Sequence, residues 1–211
     1  MILEVIPAGP LRANCYLLGS AEGCEAAVVD PGGDAERILA RARALGLSLR
    51  YILLTHGHFD HVGASRAIRQ ATGAALLVHA RDAFFLGRAA EDGAAFGASV
   101  EDQPDPDDHL VEGVPIRFGG VSLEPIHTPG HSPGGCSLHC PRAGFVLTGD
   151  TLFNGSIGRW DLPGGSREEL LDSIRTRLFS LPGHTRVHSG HGPPTSIGIE
   201  RASNLHVPRR A

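Results

Sequence analysis

Short apolar runs recur along the chain at residues 3–6, 15–18, 26–29, 51–54, 75–78, 121–126, 136–138, 145–147 and 187–188. Each has the length and the aliphatic content of a buried or half-buried strand. Between several of them the spacing changes to that of a helix. Residues 35–45 run up to Gly46, residues 64–71 up to Gly73, and residues 167–181 start behind Ser166 as an N-cap and stop at Pro182. Strands in two groups with helices interspersed predict sheets covered by helices, an α/β architecture. Residues 87–109 break the pattern with small residues, several acids, Pro104 and Pro106 but no period. A loop or short helices is expected there, acting as a lid or binding wall or else as a surface insertion.

Composition narrows this picture. At 211 residues and 41% hydrophobic content, with no internal repeat and no linker rich in Gly, Ser or Pro, the sequence predicts one domain over 1–211. The net charge of −4 comes without blocks of either sign, so neither nucleic acid nor an anionic membrane surface is an expected partner. The start, from Met1 to Pro7, lacks a basic region followed by an apolar core, and no window approaches 18 uninterrupted apolar residues, which predicts a cytoplasmic chain. Cys15, Cys24, Cys136 and Cys140 form no C-x-x-C pair and are expected as free thiols. All 19 basic residues are Arg, which excludes lysine Schiff-base or lysine general-base chemistry.

The chemistry is concentrated in Thr55-His56-Gly57-His58-Phe59-Asp60-His61, which follows the apolar run 51–54 and packs His56, His58, Asp60 and His61 into one strand-end loop. Imidazole and carboxylate are the donors that Zn, Fe and Mn accept, and so many together need a partner that offsets their desolvation. Three further candidates stand at strand ends beside glycines: His131 after Thr128-Pro129-Gly130, Asp150 after Gly149, and His191 between Gly190 and Gly192. Catalytic Zn takes three protein donors plus water, so this set predicts two adjacent divalent ions, with zinc as the first expectation and iron or manganese as alternatives. The division predicted is His56, His58 and His131 on one ion, Asp60, His61 and His191 on the other, and Asp150 bridging. A hydroxide between ions so placed would serve as nucleophile, and Asp60 is expected to orient it as well as bind. His79, His109, His127, His139, His184, His188 and His206 lack the glycine-rich context and read as surface or hydrogen-bonded histidines, with His127 a candidate for orienting a ligand imidazole.

The chain resembles metallo-β-lactamase-fold hydrolases, and within them the glyoxalase II group, the short bacterial hydroxyacylglutathione hydrolases in particular. The resemblance is carried by Asn14-Cys15-Tyr16, Asp30-Pro31-Gly32-Gly33, the H-x-H-x-D-H run, Thr128-Pro129-Gly130-His131, Gly149-Asp150-Thr151-Leu152-Phe153 and Gly190-His191-Gly192. It implies a four-layer αββα sandwich with a dinuclear site at one edge of the sheets, held by the same ligands. It also implies hydrolysis of a thioester, an S-acylglutathione such as S-lactoylglutathione, and so a small-molecule thioester or glutathione conjugate as partner. Residues 155–165 resemble the short bacterial members, and Arg159 falls where glutathione-using members carry a basic residue suited to a bidentate grip on a carboxylate. The sequence departs from authentic glyoxalase II in having only about twenty residues after His191, with no C-terminal helical glutathione-binding domain. Persulfide dioxygenases, which use one iron on the equivalents of His56, His131 and Asp150, form an alternative acting on glutathione persulfide. Lactonases are a more distant one, since they carry tyrosine where this chain has Phe153. The best-known zinc β-lactamases lack the aspartate at the position of Asp150.

Overall fold

The computed structural model describes residues 1–20 and 23–208. Its first sheet runs β1 (Ile2–Ala8), β2 (Ala13–Gly19), β3 (Glu25–Val29), β4 (Ser48–Leu53), β5 (Ala75–Val78) and β6 (Asp108–His109), paired in that order. The second comprises β7 (Ile116–Phe118), β8 (Val121–His127), β9 (Cys136–Cys140), β10 (Phe145–Gly149), β13 (Arg186–Ser189) and β14 (Thr195–Ser196), ordered β14-β13-β10-β9-β8-β7. A two-stranded hairpin of β11 (Leu152–Phe153) and β12 (Ser156–Ile157) follows β10.

Alternation along the strands explains why the sheets must be covered on both faces. Cys15 and Leu17 of β2, with Ala26 and Val28 of β3, pack towards α1 (Ala35–Ala44) and α3 (Ser65–Thr72), where they meet Ile38 and Ile68. The intervening Tyr16, Leu18, Ala27 and Val29 face Leu123, Leu138, Phe145 and Leu147 of the other sheet. Val146 and Val187 leave the far side of the second sheet to pack on Leu170 and Leu171 of α6 (Arg167–Asp172), Ile174 of the following turns, and Ile197 of α7 (Ile197–Ser203). Three apolar layers between four structural ones give the αββα sandwich, and strands buried on both faces read as continuous apolar runs.

The chain turns into helix where the pattern predicts, with local differences. Ser166 caps α6, its hydroxyl accepting from Glu169 N–H, but the helix widens into π-helical turns at Ser173–Leu178, where Phe179 N–H donates to Ile174 O at 2.8 Å. Residues 87–109 are partly helical, with α5 (Ala89–Ala95) following α4 (Ala83–Leu86). The segment that reads as a strand-end loop contains a one-turn helix, α2 (Phe59–Val62), so Asp60 and His61 stand on a helical turn, His58 on extended backbone just before it, and His56 in a bend after β4. Cys15, Cys136 and Cys140 are buried thiols and Cys24 an exposed one. Among the described residues no helix is long and apolar enough to cross a membrane.

Candidate metal centre

The candidate ligands all follow the ends of strands that finish at one edge of the sandwich: residues 56–61 after β4, His131 after β8, Asp150 after β10, and His191 after β13. Parallel pairing of β3 with β4 and of β10 with β13 brings these ends together, the position where open α/β sheets bind ligands.

Strand β2 holds the loop after β13 by backbone and side-chain hydrogen bonds. Asn14 N–H donates to Gly190 O at 2.7 Å, and the Asn14 amide to Ser189 O and Gly192 O, while the Tyr16 hydroxyl donates to Ser189 O at 2.6 Å. Two residues on one face of β2 therefore hold the loop that carries His191. Two glycines are required by space. A Cβ on Gly190 would stand 2.1 Å from Asp150 Oδ1, and Gly149, at a φ of 48°, already lies against Thr55.

The structure gathers all seven predicted side chains into two clusters around Asp150. His56, His58 and His131 can offer one nitrogen each, and Asp60, His61 and His191 one donor each, with the atoms of each set within 4.8 Å of one another. Asp150 reaches both sets: Oδ1 lies 3.4 Å from His61 Nε2, and Oδ2 lies 3.8 Å from His131 Nε2 and 3.7 Å from His191 Nε2. His58 Nδ1 and His131 Nε2 are 2.9 Å apart. His191 Nε2 lies 3.2 Å from Asp60 Oδ2. Buried His56 Nε2, His61 Nε2 and Asp150 Oδ1 have no hydrogen-bond partner. Orphaned donor atoms that converge from separate loops are costly to bury unless a cation satisfies them, so the residues fit divalent metal.

Imidazole orientation is set by residues whose roles the sequence did not disclose. Thr55 donates its hydroxyl to Asp30 Oδ2 at 2.6 Å, so His56 Nδ1–H donates to Thr55 Oγ1 at 3.1 Å and turns Nε2 into the site. His61 Nδ1–H donates to the same Asp30 Oδ2 at 3.1 Å, and Thr55 N–H to Asp30 Oδ1 at 2.7 Å. Asp30 adopts a left-handed conformation, φ 52°, after β3, a geometry that aspartate tolerates better than most residues. His131 Nδ1–H donates to the backbone oxygen of Arg159 at 2.8 Å. Fully buried Asp82 joins the two loops of the first cluster, accepting from Gly57 N–H, Ser132 Oγ–H and Gly134 N–H. His127, the sequence candidate for orienting a ligand, instead donates to Pro133 O and stacks on His79. Asp30 stood inside a recognisable motif. Asp82 carried no signal at all.

Electrostatics divide the donors. Burial, reinforced by the neighbouring imidazoles, pushes His56 well below the ordinary histidine range, and burial together with His131 takes His58 down to about 3. Both are neutral donors at physiological pH. Burial opposes charge on His61 too, but Asp60, Asp150 and Asp30 outweigh it and hold its pKa at about 10. Asp60 is held below the usual carboxylate range: burial resists ionisation, while the charge of His61 and the hydrogen bond from His191 prevail.

A cavity of about 600 Å³ opens on the clusters, lined by His58, Asp60, His131, Asp150 and His191 at its floor. Phe84, Phe85 and Phe96 also line it, the last from within residues 87–109. Arg159 also lines it, with its guanidinium paired to Asp161 through two contacts of 2.9 Å.

The fold and site define a class, an αββα sandwich carrying His and Asp clusters suited to divalent metal at one edge. The chain belongs to the metallo-β-lactamase superfamily, whose family model matches residues 8–191. It is 40% identical over 206 residues to the hydroxyacylglutathione hydrolase GloC of Haemophilus influenzae, covering 97% of each protein. Among solved structures it is similar to the BLEG-1 B3 metallo-β-lactamase, with a TM-score of 0.91, 37% identity, and 98% and 99% of the two chains covered. It is also similar to TTHA1623 in a di-iron-bound form, with a TM-score of 0.88, 40% identity, and 96% and 98% covered.

Proposed function

We propose that the protein is a metal-dependent thioester hydrolase acting on an S-acylglutathione such as S-lactoylglutathione. The observation that carries this reading is the convergence of two donor clusters on Asp150 beneath an open cavity, with buried donor atoms left unsatisfied. The likeness to the Haemophilus influenzae hydroxyacylglutathione hydrolase supports the substrate class. His56, His58 and His131 would hold one divalent ion and Asp60, His61 and His191 the other, with Asp150 shared. Two such ions supply Lewis acidity for the carbonyl and lower the pKa of a water.

The chain's own residues do the rest. Asp60, ionised and lining the cavity, orients the attacking water. The thiolate leaves without a strong acid, so no protonating side chain is needed on the leaving side. Asp30, Thr55 and the backbone oxygen of Arg159 fix three imidazoles so that their free nitrogens face inward. The Arg159 guanidinium, exposed at the rim, exchanges Asp161 for a carboxylate of glutathione.

The test is metal content of protein purified without added metal, together with hydrolysis of S-lactoylglutathione. About two ions per chain with thioester cleavage is the expected result. One iron per chain, little cleavage, and O₂ uptake on glutathione persulfide would overturn it in favour of a dioxygenase. The likeness to BLEG-1 favours a second reading, cleavage of a β-lactam amide, which hydrolysis of nitrocefin in preference to any thioester would support.

A further inference from the structure

The cavity above the clusters is walled by aromatic rings from separate parts of the chain. Phe85 meets His58 edge-on with centroids 5.0 Å apart, so the wall begins at a candidate ligand. It continues through Phe84, 4.0 Å from Phe85, and through the pair Phe59 and Phe96 at 5.4 Å. The lining also includes Phe153, 6.5 Å from His191 and edge-on to it, together with Leu11, Leu162 and Pro163. Phe84, Phe96 and Leu11 are 53%, 51% and 47% exposed. Large apolar side chains left half wet around one opening gain most when an apolar ligand covers them.

Charge points the same way. Of the two guanidiniums that line the cavity, Arg88 bonds Asp92 at 2.9 Å with Glu91 at 3.7 Å, and Arg159, paired to Asp161, is the one assigned above to the carboxylate of glutathione rather than to the acyl group. The wall therefore offers apolar area rather than unpaired charge. A lactoyl group, with three carbons and a hydroxyl, covers little of it.

Resting on the thioesterase reading, we infer that the preferred acyl group is apolar and larger than lactoyl, an alkyl or aryl chain packed against the apolar lining that includes Phe84, Phe96, Phe153 and Leu162. Discrimination then lies in the acyl half of the substrate, which touches these rings while its carbonyl sits over the donor clusters.

The experiment compares kcat/KM for lactoyl, hexanoyl and phenylacetyl thioesters of glutathione, with the same acyl series on N-acetylcysteamine so that the thiol is varied independently. The metal-loaded enzyme should prefer hexanoyl and phenylacetyl over lactoyl by at least about tenfold, the effect of burying roughly two methylene groups. In Phe84→Ala and Phe96→Ala, whose side chains stand half outside the core, that preference should shrink several-fold. Lactoyl cleaved as well as or better than the apolar acyl groups overturns this inference and leaves the thioesterase reading standing. A preference that both variants retain in full assigns it elsewhere and overturns the wall's role. No cleavage on either thiol overturns the thioesterase reading and this inference with it.

Discussion

His61 Nδ1 stands 3.1 Å from Asp30 Oδ2, and the same oxygen receives the Thr55 hydroxyl that in turn accepts from His56. One carboxylate, on a loop that contributes no predicted ligand, therefore sets the tautomer of an imidazole in each cluster. Asp30→Asn replaces an acceptor with a group that presents N–H donors to Thr55 or His61. Metal affinity and turnover should fall about 10–100-fold, the usual cost of losing such support. Chelator competition and steady-state rates measure this, and wild-type affinity in the variant would remove Asp30 from the assembly of the site.

Asp60→Ala should lower kcat far more than it raises KM, because the carboxylate acts on the attacking water and not on the substrate's binding groups. Metal content has to be measured alongside, since Asp60 also belongs to the second cluster. A fully loaded variant with normal kcat would exclude Asp60 from orienting the attacking water.

Arg159 separates its side chain from its backbone. Arg159→Ala keeps the carbonyl that receives His131 Nδ1–H and deletes only the guanidinium at the rim. KM for a glutathione thioester should rise several-fold with kcat and metal content preserved. An unchanged KM would confine Arg159 to its structural contact with Asp161.

Asp82→Ala removes the acceptor of three hydrogen bonds from a fully buried position and leaves Gly57, Ser132 and Gly134 unpaired. The expected loss is about 2–4 kcal/mol of stability, or roughly 5–15 °C in Tm. Thermal unfolding measures it, and a shift below about 2 °C would contradict the bridging role given to this carboxylate.

Metal loading should release protons at neutral pH. His61 is held at about 10, above the ordinary value of about 6.5, so in metal-free protein it is charged at pH 7 and must deprotonate to ligate. The sign for stability follows: its raised pKa stabilises metal-free protein fully below about 6.5, and that contribution is lost as pH rises through about 10. Calorimetric titration with Zn²⁺ in buffers of different ionisation enthalpy should give apparent enthalpies that vary with the buffer. Buffer-independent enthalpies would mean that His61 is neutral before metal binds.

Much of the fold was legible because central strands such as β2, β3 and β10 are buried along nearly their whole length and so appear as apolar runs. Short elements escaped. The strands β6, β11, β12 and β14 have two residues each, and α2 is a single turn whose residues read as a metal-binding loop. Their conformation is imposed by pairing and by the site rather than by local periodicity.

The candidate ligands were legible for a chemical reason. His and Asp set beside glycine at strand ends carry their donor atoms in the residue type, so His56, His58, Asp60, His61, His131, Asp150 and His191 could be named before any of them was located. What the sequence alone determined was an α/β architecture of sheets covered by helices, which the family resemblance refined to αββα, together with a set of candidate donors. Only the tertiary structure decided which carboxylates stand behind the ligands and which surfaces face the substrate. Asp30 and Asp82 act through contacts 25 to 52 residues away, and the aromatic wall joins Phe59, Phe85 and Phe153. Such contacts depend on where separate chain segments meet in space, and no local pattern of hydrophobic and polar positions encodes that meeting.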